Sequence, residues 1–313
     1  MTALTIVVIA PDFGFTDDWR DSIRETVPGA ELYDEQEVKD TGSIDIALVY
    51  NPPAGKLSQY PNLKAIVTLS AGADQLLSDP SLPDVPIVRL ADTGISDLMK
   101  EYIAYHTLRL HRNFKQYELL QQKSIWQWMP PTLPANKCKV TVMGMGRIGY
   151  PCAMALRNLG FDVTGWCRTP QVLKEIPCFS GPGALDELLA HTHILVCILP
   201  LTTETKGILS APLFRKLPGG ASIINVSRGG CLNETDLLGA LNNGQVANAV
   251  LDVFETEPLP VSNPLWQHPN VTVTPHIAGD ARALATAMEI LQVASSLRNN
   301  QPLANTINVK LGY

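Results

Sequence analysis

Short aliphatic and β-branched runs recur along the chain, separated by longer stretches in which apolar residues return every three or four positions. The short, continuously apolar runs predict strands buried on both faces of a parallel sheet. In the first third they fall at 5–10, 46–50, 65–69 and 87–89. A helical stretch then covers 96–122, with Ser96 as its N-cap and Asp97 in its first turn, long enough to connect two units. Pro130, Pro131 and Pro134 make 128–136 a loop. A second series of strands follows at 139–143, 162–166, 194–199, 222–226, 249–253 and 271–274. Helical patterns lie between them, among them 147–159, closed by Gly160, and a last one spans 282–298. This alternation predicts an α/β architecture with mainly parallel sheets.

Length agrees, since 313 residues suffice for about two domains, each with its own core. Hydrophobic residues make up 45% and charged residues 17%, a globular composition. A net charge of −6 without a Lys/Arg block argues against nucleic acid or an anionic membrane as partner. No apolar run approaches the ~20 residues of a bilayer span, and the opening run lacks a basic leader, so it reads as a first strand. Six cysteines without a Cys-x-x-Cys pair read as reduced thiols, and the expected compartment is the cytoplasm. His191 and His193 have no third ligand nearby, and no metal site is expected.

The chemistry begins at Gly144-Met-Gly146-Arg-Ile-Gly149, directly after one predicted strand and at the start of a helix. In that context the three glycines serve a tight turn, close approach of a pyrophosphate and helix-on-strand packing. The amides of Arg147, Ile148 and Gly149 would then point at phosphates. An NAD site usually places an acid at the end of the next strand, about 20 residues on. Here that place holds Cys167, followed by Arg168 and Thr169. A neutral residue, a cation and a hydroxyl suit a 2′-phosphate, so NADP(H) is the expected cofactor, with NAD(H) possible.

Three further groups follow three strands: Arg228 after 222–226, Asp252 in the 249–253 run with Glu257 just beyond, and His276 after Pro275. In open α/β sheets ligands bind beyond the carboxyl ends of the strands. Reducing a 2-oxo acid needs a proton donor, a cation for carboxylate or keto oxygen, and a hydride source. His276 suits the first, with Glu257 as its orienting carboxylate, and Arg228 suits the second. Asp252 reads either as a group near the nicotinamide carboxamide, as support for the site, or as a cap.

These motifs, with Ser70-Ala-Gly72-Ala-Asp74, Asp92-Thr-Gly94, Leu199-Pro200-Leu-Thr202…Thr205, Asn225-Val-Ser-Arg228-Gly, Pro264-Leu-Trp266 and Thr274-Pro-His276-Ile-Ala278, resemble the D-isomer-specific 2-hydroxyacid dehydrogenases over essentially the whole chain. The similarity is greatest to their glyoxylate/hydroxypyruvate-reducing branch. The resemblance implies an α/β fold of two Rossmann/flavodoxin-like domains with parallel sheets: a flavodoxin-like substrate-binding domain of 1–99 plus 281–313, a dinucleotide-binding Rossmann domain of 100–280, and the active-site cleft between them. It implies that Arg228 binds substrate, Glu257 supports the histidine, and His276 is the general acid/base. The backbone at Ala71 and Gly72 would receive the substrate carboxylate, and Tyr50 would wall the pocket unless it is simply a packed strand-end tyrosine. Leu199, Pro200, Thr205, Val226, Asp252, His276 and Ala278 would join the glycines, Arg168 and Thr169 around the cofactor. Relatives often carry glycine where this chain has Ser70, which either narrows the pocket or adds a hydrogen bond. A homodimer is implied, with Trp126 and Trp128 either in its interface or in a local core.

The expected activity is NADPH-dependent reduction of glyoxylate or hydroxypyruvate to the D-2-hydroxy acid. Two alternatives stand beside it: a reductase of bulkier 2-oxo acids such as phenylpyruvate, and a nucleotide-sensing interaction protein without turnover.

Overall fold

A computed structural model describes residues 4–11, 15–70, 72–89, 94–131, 133–279 and 281–309. The chain divides into two compact units, one of Met1–Ile95 with Asp280–Tyr313 and one of Ser96–Gly279. The crossings thus fall at 95/96 and 279/280, beside sequence expectations of 99/100 and 280/281.

In the first unit five parallel strands lie in the order β2-β1-β3-β4-β5: β1 Leu4–Ile9, β2 Ala30–Asp34, β3 Ile46–Val49, β4 Ala65–Thr68 and β5 Ile87–Arg89. Alternate residues enter opposite faces. Ile6, Val8, Leu48 and Val67 pack on one side against α1 (Asp17–Thr26) and α9 (Ala283–Arg298), while Val7, Ile9, Val49 and Ile66 pack on the other with Leu57, Leu76 and Ile307. Fully burying each such side chain is worth roughly 2 kcal/mol, so both faces of the short strands hold them in the sheet. α9 is the returning C-terminal element, which joins this core from far along the chain.

The second unit has a seven-stranded parallel sheet ordered β12-β11-β10-β9-β6-β7-β8. Its strands are β6 Lys139–Met143, β7 Asp162–Cys167, β8 Cys178–Ser180, β9 Ile194–Cys197, β10 Ala221–Asn225, β11 Val246–Leu251 and β12 Val271–Val273. Successive connections run from β6 outward to β7 and β8, then return across the sheet to β9, so the winding reverses between β6 and β9. One in-register row crosses the sheet through Trp166, Met143, Cys197, Asn225, Leu251 and Val273. Everything beyond that row lies at the carboxyl edge.

Several expectations need correction. The single helix over 96–122 is two helices, α3 (Ile95–His111) and α4 (Phe114–Gln122), broken at Asn113 with φ 55°. Asparagine accepts the left-handed region more readily than other non-glycine residues, and so it breaks the helix without a glycine or proline. Ser96 lies inside the first turn rather than capping it. The run placed at 249–253 is a strand ending at Leu251, which puts Asp252 just past it. The strands β2 and β8 have no counterpart in the pattern, because both are sheet edges with partly exposed residues. Trp126 and Trp128 are exposed at 103% and 82%, so neither fills a local core. Among the described residues no helix is long and apolar enough to cross a membrane.

Candidate active site

The carboxyl edge of the seven-stranded sheet carries two different constructions. Beyond β6 the chain turns at Gly144, whose φ of +103° only glycine adopts easily and whose Cβ would stand 2.6 Å from Ile198 O. A Cβ on Gly149 would lie 1.7 Å from Gly144 O, so the start of α5 (Gly149–Asn158) packs directly on the turn. At Gly146 no atom stands within 4 Å of a Cβ, leaving open space beside the backbone. The first helical amide with a partner in the turn is Tyr150 N, donating to Gly146 O at 3.0 Å; those of Arg147, Ile148 and Gly149 precede it. Tight packing on two sides and open space on the third fit a pyrophosphate held by backbone amides at a helix N-terminus.

Beyond β7, Cys167 gives its thiol to Thr169 O at 3.0 Å and folds the turn that presents Arg168 and Thr169, both exposed. The residue that ends the strand is Cys167, where an NAD site usually has a carboxylate for the ribose hydroxyls. The side chain of Glu204 lies close enough that Arg168, after hydrogen bonds from Thr202 and its own backbone, helps hold its carboxyl below the usual range. Leu199 and Pro200 follow the end of β9, and the Thr205 hydroxyl bonds Pro200 O at 2.6 Å, closing that loop. Val226, buried, directly follows β10.

Beyond β10, β11 and β12 the edge is built from side chains. His276 Nδ1 lies 2.8 Å from Glu257 Oε2. Burial pulls the Glu257 carboxyl up, but the His276 hydrogen bond, the Phe254 amide and the positive field of His276 and Arg228 outweigh it and hold it below its ordinary value of 4.5. Glu257 is therefore a carboxylate at neutral pH, and a ring bonded to it through Nδ1 has Nε2 left to handle a proton. Arg228 is half-buried, with Nη1 donating to Ser227 O at 2.8 Å. Gly229 permits that loop, since a Cβ there would come 1.8 Å from the Phe254 carbonyl carbon.

Asp252 is 1% exposed. Its carboxylate accepts from the Thr274 hydroxyl at 2.6 Å, Ile277 N at 2.9 Å and Ala278 N at 2.8 Å, and its carbonyl accepts from His276 N at 2.8 Å. His276 is thereby held at φ 57°, an uncommon conformation for a non-glycine residue. Of the three readings open from sequence, support of the site is the one these bonds favour; Thr274 stood in the sequence only as the first residue of the motif ending at Ala278, with no role attached to it.

In the first unit, Tyr50 follows β3 and packs half-buried against the apolar face that carries α1 and α9. Ala71 lies outside the described residues. Gly72 N donates to Ser70 Oγ at 3.3 Å, so the hydroxyl absent from glycine-bearing relatives engages an amide expected to meet substrate.

Dinucleotide-dependent oxidoreductases as a class need what this edge provides, a place for a pyrophosphate and, a few strands away, a group that handles a proton. Residues 104–278 match the family profile of the D-isomer specific 2-hydroxyacid dehydrogenases, NAD binding domain. Glyoxylate/hydroxypyruvate reductase A of Serratia proteamaculans is 37% identical, covering 99% of this chain and 100% of its own. A D-isomer specific 2-hydroxyacid dehydrogenase from Xanthobacter autotrophicus, crystallised with NADPH and MES, superposes with a TM-score of 0.94 at 37% identity and full coverage of both chains. The NADPH-dependent glyoxylate/hydroxypyruvate reductase of Sinorhizobium meliloti, crystallised with NADP and sulfate, gives 0.93 at 33% identity over 99% of this chain and 100% of that one. The chain belongs to the D-isomer-specific 2-hydroxyacid dehydrogenase family.

Proposed function

We propose that this chain reduces small 2-oxo acids, glyoxylate and hydroxypyruvate foremost, to 2-hydroxy acids with NADPH, giving the D isomer where the product is chiral. The observation that carries the reading is the His276–Glu257 pair at 2.8 Å, on the same sheet edge as the glycine turn. The names of the similar enzymes and the nucleotides bound in their crystals support the substrate class and the cofactor. When bound, the dinucleotide supplies a hydride. His276 donates its Nε2 proton to the oxygen that becomes the hydroxyl, while Glu257 orients the ring through Nδ1. Arg228 supplies fixed positive charge to the substrate's oxygens as negative charge develops. Arg168 and Thr169 meet the 2′-phosphate, and the amides at 147–149 the pyrophosphate. Two fully exposed tryptophans, Trp126 and Trp128, support a homodimer that covers them, and six free thiols support a cytoplasmic setting.

The test follows the absorbance of reduced nicotinamide with glyoxylate, hydroxypyruvate, pyruvate and phenylpyruvate. The expected result is the highest kcat/KM for NADPH with the first two. A preference for phenylpyruvate would reassign the substrate, equal use of NADH would overturn the role of Arg168, and nucleotide binding without turnover would point to a sensor. Light scattering at micromolar concentration reads the dimer.

A further inference from the structure

β12 is the outer strand of the seven-stranded sheet, and the two helices that follow the first crossing tie themselves to it. Lys115 on α4 donates to Val271 O at 2.9 Å, and Arg109 on α3 reaches the Thr272 hydroxyl at 3.4 Å. The third tie is different in kind. The Tyr102 hydroxyl lies 2.6 Å from Thr274 Oγ1, one residue past the strand, and Thr274 Oγ1 lies 2.6 Å from Asp252 Oδ1. The Thr274 proton is given to the carboxylate, so Tyr102 must be the donor to Thr274. Burial raises the Tyr102 phenol far above its ordinary value, and it keeps that proton at any working pH.

We propose that Tyr102 is a positioning residue for His276, acting through Thr274 and Asp252. The three hydroxyl and carboxyl groups form one directed chain, and its end is the carboxylate whose oxygens hold Ile277 N and Ala278 N, the two amides directly after the bend at His276. Neither of the other two ties reaches that carboxylate. The chain also joins both crossings: α3 starts at the first, and the segment from Thr274 to Ala278 runs into the second. Without the Tyr102 proton, the Thr274 hydroxyl loses the partner that fixes its rotamer. Asp252 Oδ1 then trades a short, directed bond for a looser one, and His276 is less firmly aimed. Hydrogen-bond chains in low dielectric are strengthened by their neighbours, so loss of the outermost donor is felt at the inner end. The proposal rests on His276 being the proton donor.

The experiment compares Tyr102→Phe, Thr274→Val, the double variant, Thr274→Ser and Lys115→Met. Each is assayed with NADPH and glyoxylate and by hydrogen exchange at the Ile277 and Ala278 amides. The expected result is a kcat about 10-fold lower in Tyr102→Phe and Thr274→Val, with KM for NADPH within about twofold. The double variant should lose no more than the worse single one, because both break one chain. Thr274→Ser should keep nearly full activity, and Lys115→Met should soften the helix attachment without lowering kcat. Exchange at Ile277 and Ala278 should quicken about 10-fold in Tyr102→Phe and not in Lys115→Met. Wild-type kcat and exchange in Tyr102→Phe, or losses that multiply in the double variant, would overturn the proposal. A wild-type chain that turns over no 2-oxo acid would defeat the functional reading instead, and the exchange rates would still decide whether Tyr102 holds the bend.

Discussion

The two halves of one sheet edge do their work by opposite means. Beyond β6 the site is made of backbone: two glycines, Gly144 and Gly149, that leave no room for a Cβ, open space beside Gly146, and amides with nothing of their own helix to bond. Beyond β10 to β12 it is made of side chains, with His276, Glu257 and Arg228 set by a buried aspartate and by loops from three different strands. The first half is encoded within six consecutive residues, Gly144 to Gly149. The second is assembled from positions between 225 and 278. A backbone site should therefore forgive changes of exposed side chains and fail when a methyl group is added. A side-chain site should keep its fold and lose its chemistry when one group is trimmed.

The largest expected effects fall on the side-chain half. His276→Ala should lower kcat by about 10³-fold, and Arg228→Ala should lower kcat/KM by ~3–5 kcal/mol of transition-state stabilisation, both with unchanged thermal unfolding. Steady-state kinetics beside calorimetry reads this, and a matching loss of stability would break the contrast. Next, Gly149→Ala should destabilise the second unit by ~3 kcal/mol or more and abolish nucleotide binding, because the new methyl has backbone on its far side and no room to move. Titration of the folded variant with NADPH would expose an error if affinity stayed within threefold. A smaller effect is expected of Arg168→Ala, which sits on an exposed turn. KM for NADPH should rise about 10-fold while KM for NADH stays the same.

The smallest expected effect lies in pH. His106, 5% exposed on α3 beneath the rings of Tyr102 and Tyr105, has its ring pushed down by burial, and further by Arg109, to about 4. An unfolded chain would take that proton near 6.5, so stability from neutral His106 is complete above 6.5 and falls away between 6.5 and 4 as the unfolded state is protonated first. Denaturant unfolding at pH 7 and pH 4.5 should show ~1–2 kcal/mol of this loss, absent from His106→Phe. An equal acid loss in that variant would remove His106 as the cause.

Much of the fold was legible in the hydrophobic pattern, and its failures have two causes. The inner strands announced themselves because both faces are buried, which forces an unbroken apolar run, as in Ile46–Val49 or Ile194–Cys197. Ala30–Asp34 and Cys178–Ser180 sit at sheet edges, where one side meets solvent and Glu31 or Ser180 costs nothing. The break at Asn113 was hidden because a left-handed asparagine leaves no trace of the kind glycine or proline leaves.

The glycine turn was legible within its own six residues, since the positive φ of Gly144 and the closeness of Gly149 to Gly144 O are local properties of the backbone. The residue types for acid/base work were likewise readable, as was their place after strands. What sequence could not decide was which group holds which. That Glu257 reaches His276, that Asp252 accepts from the amides of Ile277 and Ala278, and that Tyr102 and Thr274 belong to the same chain are facts of distance between residues up to 172 positions apart. Directed hydrogen bonds have a reach of about 3 Å and no signature along the chain, so only the register of β11 beside β12 and the packing of α3 on that edge could bring them together.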